Sequence, residues 1–158
     1  MVGKTRGGPW FGDERALVIF ERGCRNAYPD FKRSRQIQSE GLSYNGVTPL
    51  TGYESRRVRL LFPKGFTPES VRISVDGPVD SPHRYAGNTL CIWYPRDSPE
   101  RKWVHDDGLV TLLDLVSLHL FKEAYWRETD RWLGDEVPHA EQDPIVKSRD
   151  TQELRMRT

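Results

Sequence analysis

The chain has 158 residues, 36% of them hydrophobic and 30% charged, with 24 basic and 23 acidic side chains for a net charge of +1. That length fits one domain able to bury a core, and the charge balance offers no electrostatic footprint for nucleic acid or an anionic membrane surface. No apolar run reaches membrane-spanning length and Met1 to Pro9 carries no apolar signal segment, so with two distant cysteines the composition points to the cytoplasm.

Residues 1–12 contain four glycines and a proline and read as a flexible lead-in. From Asp13 the pattern turns helical, with Leu17, Phe20, Cys24 and Tyr28 on one stripe and Pro29 closing the segment. Short strands are expected at Arg35 to Glu40 and Leu42 to Thr48, with a bend or bulge at Asn45-Gly46. Tyr53 to Phe62 is the clearest strand, because Val58, Leu60 and Phe62 alternate with Arg57, Arg59 and Leu61. Val71, Ile73 and Val75 mark a fourth strand, and short turns between the strands suggest an antiparallel meander. Pro78 to Lys102 has no regular period, although Leu90, Ile92, Trp93 and Tyr94 argue that it is anchored.

A long helix opens at Asp106 or Asp107 and runs to about Arg131. Leu109, Leu112, Leu113, Val116, Leu120 and Phe121 form its main stripe, and Val110, Leu115 and Leu118 widen the stripe until most sides look buried. Gly134 and Pro138 end the region. The charged tail, residues 140–158, is expected to be loosely attached, which leaves one domain over residues 13–139.

Cys91 follows the turn-rich stretch from His83 to Leu90 and has no second cysteine near it, a poor pattern for a disulfide or a metal and a fair one for a nucleophile. Composition leaves a buried structural thiol equally open. A reactive thiolate needs a base or a charge nearby, and His83, Arg84 and His105 are the local candidates. Gly87 and Asn88 just upstream let backbone approach a substrate, and His139 lies after the long helix where the chain can return toward Cys91. His119 falls within the apolar helix and reads as a core histidine with one hydrogen-bond partner, and Cys24 as a small buried residue. Paired Cys-x-x-Cys or His-x-x-x-His metal spacing, a Walker loop and a dinucleotide fingerprint are all missing, so neither a metal nor a cofactor is expected.

Helix, four-stranded meander, irregular segment with one cysteine, tryptophan and long helix together resemble the ubiquitin-conjugating enzyme (UBC-like) fold, an α+β class, across residues 13–139. His83 to Ile92 is similar to that family's His-Pro-Asn…Cys segment with Cys91 at the thioester position, although Arg84-Tyr85 replaces Pro-Asn and the spacing is shorter. His83-Arg84-Tyr85, Leu90-Cys91, Leu118-His119-Leu120-Phe121 with Glu123, and Trp132-x-Gly134-x-Glu136-x-x-His139 resemble bacterial ubiquitin-conjugating-like proteins of CBASS anti-phage operons, of the stand-alone kind. The resemblance implies a thioester through Cys91 with the C-terminus of a cGAS-like nucleotidyltransferase, priming cyclic-oligonucleotide signalling. Under it His83 and His139 are candidates to tune the thiolate or accept a proton, and Asn88, with backbone N–H groups, to stabilise the oxyanion. A non-catalytic interaction module on the same fold is the competing reading, and a cysteine hydrolase is disfavoured for want of a placed His and Asn/Asp pair.

Overall fold

The computed structural model describes residues 8–34, 40–85, 88–94 and 97–134. Asp13 caps the first helix, α1 (Glu14–Phe20), by accepting from the Arg15 backbone N–H at 2.9 Å. The helical stripe then continues across a break. Gly23 sits at φ 78°, a left-handed conformation open to glycine at little cost, and a second short helix, α2 (Cys24–Ala27), restarts from it. Leu17, Phe20, Cys24 and Tyr28 are all buried as their spacing predicts, but on two helices rather than one.

Four strands follow in an antiparallel sheet ordered as in the sequence: β1 (Lys32–Arg33), β2 (Gly41–Leu50), β3 (Tyr53–Pro63) and β4 (Arg72–Val75). The first strand lies just before the stretch expected to form it, and residues 35–39 of that stretch fall outside the described residues. Asn45-Gly46 is no bend but the middle of β2, where a Cβ on Gly46 would stand 2.6 Å from the Phe31 ring. The register irregularity falls instead between Thr48 and Leu50, around Pro49, which has no N–H to give to a ladder. On β3 the alternation holds, with Val58, Leu60 and Phe62 buried and Arg57 and Arg59 exposed.

The final helix, α3 (Gly108–Thr129), is the spine of the core, entered through a turn of 3-10 helix at His105–Asp107. Leu109, Leu112, Leu113, Val116 and Leu120 pack against the sheet. Leu118, expected to widen the buried stripe, is 50% exposed, so the helix has one covered face and one open face. An aromatic cluster fills the space between α1, the sheet and α3: Phe20 meets Tyr44, Phe62 and Trp103, and Trp103 donates from Nε1 to the Gly108 carbonyl at 2.9 Å. Trp10 and Phe11, within the stretch read as a flexible lead-in, join it. Phe11 is buried, and Trp10 packs edge-on against Phe11, Phe20 and Phe62.

The architecture is therefore α+β, with a four-stranded antiparallel meander and a long C-terminal helix, in the arrangement expected of a UBC-like domain. Leu113→Ala, which empties a site with no exposure, should cost about 2–5 kcal/mol in urea unfolding. It should leave the alkylation rate of Cys91 in the folded fraction unchanged.

Candidate functional site

Cys91 is half-buried at the end of a short segment fixed from several directions. Leu90 buries its side chain in the core and donates its N–H to the Ile73 carbonyl of β4 at 2.9 Å, while Thr89 bridges to Ser74. Across from it, Arg84 bridges to Leu90, and the Tyr85 and Cys91 amides donate to the Thr89 and His83 carbonyls at 2.9 and 3.0 Å. The two segments thus form a miniature antiparallel ladder. Alternation along it puts Arg84 and Leu90 on one side and Tyr85 and Cys91 on the other.

Arg84 reaches from this ladder to Glu123 in the middle of α3. Its Nε and Nη2 donate to Oε1 and Oε2 of Glu123 at 3.0 and 2.7 Å, a bidentate pair. Arg127, one turn on, donates to Oε2 at 2.9 Å, and His119 Nε2 lies 3.3 Å from Oε1. Glu123 has no exposed surface and Arg84 only 5%, so the pair is withdrawn from water. Both arginines also hold backbone: Arg84 binds the Pro78 and Asn88 carbonyls, and Arg127 binds those of Pro78 and Asp80. The irregular segment before Cys91 is fastened to α3 by these bonds. Burial by itself would raise the Glu123 carboxyl, but the hydrogen bonds and charges of His119 and Arg84 outweigh it and bring the group down to about 2.

On the other side of the ladder, Cys91 Sγ lies 3.8 Å from the Trp93 carbonyl oxygen, the same atom to which the Tyr85 hydroxyl donates at 3.4 Å. The Tyr85 hydroxyl and the Cys91 thiol thus converge on one acceptor. Burial pushes the Cys91 thiol up, the Tyr85 hydroxyl partly offsets this, and the Asp97 carboxylate adds to the rise. Asp97 is held beside the site by accepting from the Tyr94 N–H at 3.3 Å and donating its own N–H to the Tyr94 carbonyl. Trp93 stacks on buried Trp103, ring centroids 6.0 Å apart, and so ties the loop to the aromatic core. A groove of about 340 Å³ is lined by Leu90 and Ile92, the neighbours of Cys91 in the chain, together with Tyr85, Trp93, Glu69, Val71 and Ile73.

The other residues singled out from sequence are distributed unevenly. The His83 carbonyl accepts from Cys91, but the His83 ring lies against Trp132 at 4.2 Å and faces His119 at 6.4 Å. Arg84 is committed to Glu123, and the His105 ring stacks on Phe20 at 5.1 Å within the aromatic cluster. Asn88 has φ 62° at the turn of the ladder, its carbonyl bound by Arg84. His139 and Gly87 lie outside the described residues. His119 is buried as its place on the apolar helix suggests, with Glu123 as its partner. Cys24 is buried, and burial followed by the charge of Glu21 pushes its thiol up.

Two participants carried no structural role in the sequence reading, the Glu123 clamp and the Tyr85 hydroxyl. Glu123 did leave a signal: it continues the series Leu109, Leu112, Val116, Leu120 on the buried stripe, where a carboxylate demands a cation. Tyr85 left none, because its meeting with Cys91 depends on the ladder register.

The clamp makes stability depend on acid. The folded-state value of Glu123 lies below its ordinary 4.5, so its contribution is fully present above about pH 4.5 and fades as pH falls toward 2. Denaturant midpoints measured over that interval should drop, and Glu123→Gln should flatten this part of the profile. Glu123→Ala should cost about 3–5 kcal/mol at neutral pH, because it strands Arg84 without its carboxylate.

The Type II CBASS E2 protein family model matches residues 23–140, a span that includes the ladder, Cys91 and all of α3. No curated protein and no solved structure matches the chain. With most of its length matched, the chain belongs to the Type II CBASS E2 protein family.

Proposed function

We propose that Cys91 accepts the C-terminal acyl group of a partner protein as a thioester, and that the partner is the cGAS-like nucleotidyltransferase of the same bacterial defence operon. The observation that carries this reading is a half-buried thiol whose backbone is pinned on both sides while its sulfur, among the described residues, lies 3.8 Å from the Trp93 carbonyl that the Tyr85 hydroxyl shares. Membership of the E2 family supports it. Both cysteines are free thiols, in keeping with the reducing cytoplasm where such a reaction would run. Among the described residues no helix is long and apolar enough to cross a membrane.

In the reaction, the thiolate of Cys91 attacks the carbonyl carbon of an acyl group already activated elsewhere, as an acyl adenylate or a thioester. A C–S bond forms, the tetrahedral oxyanion collapses, and AMP or the donor thiolate leaves. The thiol proton passes to a base, for which His83 and His139 are the candidates. Asn88, three residues before the sulfur, and nearby backbone N–H groups donate to the oxyanion. An amine then attacks the thioester, a C–N bond replaces C–S, and the thiol returns. The groove lined by Leu90 and Ile92 suits the last residues of the extended acyl donor.

Burial that keeps the thiol protonated at rest favours a second reading, a binding module with no acyl step. Intact mass after co-expression with the neighbouring nucleotidyltransferase separates the two. The native chain should carry an adduct on Cys91 that thiols and hydroxylamine remove. Cys91→Ser should hold a thiol-resistant ester and Cys91→Ala nothing, whereas an unmodified Cys91 in a stable complex selects the binding module. If a histidine takes the thiol proton, His83→Gln or His139→Gln should slow adduct formation by roughly 10²–10⁴-fold while the fold survives.

A further inference from the structure

We infer that the Tyr85 hydroxyl is a catalytic group of this site, the hydrogen-bond donor that receives the Cys91 thiolate when it forms. The inference rests on Cys91 being the acyl acceptor, and it assigns the donor that the proposed reaction leaves open on the sulfur itself.

Tyr85 and Cys91 turn to the same side of the ladder, and their polar atoms converge on one acceptor, the Trp93 carbonyl, at 3.4 and 3.8 Å. That carbonyl is held in turn by the Trp93 ring stacked on Trp103. Tyr85 cannot easily drift from this position, since its N–H donates to Thr89 and its carbonyl accepts from Asn88. While Cys91 is a thiol, its S–H and the phenol O–H share the Trp93 carbonyl. Once the thiol proton has left, the sulfur is an anion beside a carbonyl oxygen and the Asp97 carboxylate, an arrangement that repels it. Rotation of the phenol O–H from the shared carbonyl to the sulfur answers this with a charge-assisted hydrogen bond. The phenol stays a donor throughout, because partial burial and the adjacent thiol push it further above its already high ordinary value. The sequence places Tyr85 third in His83-Arg84-Tyr85, where the eukaryotic enzymes have asparagine after His-Pro. In this chain that position serves the sulfur.

The test uses the free chain, so it does not depend on a partner. Alkylation of Cys91 by iodoacetamide, resolved from Cys24 by peptide mass, is followed against pH for the native protein and Tyr85→Phe, with circular dichroism confirming the fold. Loss of the donor should move the inflection up by about one unit and slow alkylation at neutral pH about threefold, the scarcer thiolate being the stronger nucleophile. Should Tyr85→Phe fail to fold, 3-fluorotyrosine at position 85 keeps the shape, strengthens the donor, and should move the inflection down. Inflections unmoved by the folded variant overturn the assignment, whether or not a partner loads Cys91. With the inflection moved as expected, an unmodified Cys91 in co-expression counts against the acyl-transfer reading alone.

Discussion

A carboxylate removed from water has to be matched by charge and hydrogen bonds where it lies, and in this protein the match for Glu123 comes from the segment that leads into Cys91. Arg84 spans the gap between an irregular stretch and the centre of the longest helix, and Arg127 closes the same carboxylate from the next turn. Neither arginine stops there, since both bind carbonyls between Pro78 and Asn88 that have no regular ladder to join. The ion pair need add little net stability over an apolar replacement. Its consequence is positional: a proline-rich stretch without repeating structure acquires one path across the core.

Upon that fixed path the thiol chemistry divides into two parts. The position of Cys91 comes from backbone bonds to β4 and to His83-Arg84-Tyr85, so it does not depend on the state of the sulfur. Its reactivity comes from what surrounds Sγ, where burial and Asp97 oppose ionisation and Tyr85 favours it. A thiol held up in this way is mostly protonated at neutral pH, but its small thiolate fraction is the stronger nucleophile for being the stronger base. Such surroundings disfavour casual alkylation and oxidation, and under the proposed function an activated carbonyl brought into contact would meet a strong nucleophile. By the same reasoning, Asp97 restrains the sulfur while Tyr85 restores part of what burial removes.

Much of the scaffold could be read directly from residue spacing. The alternation of Val58, Leu60 and Phe62 and the stripe from Leu109 to Leu120 are one-dimensional signals of a two-sided environment, and both faces lie where those periods put them. What resisted reading was set by contacts distant in sequence. The break at Gly23 leaves the apolar stripe intact, so the period runs through it without a mark. Asn45-Gly46 looks like a turn until Phe31 is seen lying on the glycine. Leu118 is apolar yet exposed, because α3 has the sheet on one side only. At the site, Cys91 stood out through isolation and neighbouring turn residues, whereas its partner Tyr85 became visible only through the register of a two-residue bridge. Arg84 and Glu123, 39 residues apart, each stood in a motif that carried the family resemblance, and their meeting gives that resemblance a physical basis.

Whether the Arg84–Glu123 pair holds the Cys91 segment in place can be measured by native-state hydrogen exchange in Arg84→Met. The Tyr85, Leu90 and Cys91 amides, which donate to Thr89, Ile73 and His83, report on the ladder, and Leu60 and Phe62 in the middle of the sheet report on the rest. Loss of a charge-assisted anchor should speed exchange of the first three by roughly an order of magnitude or more beyond whatever the central strand loses. Unchanged protection at Tyr85, Leu90 and Cys91, or an equal loss across the whole sheet, would contradict the account.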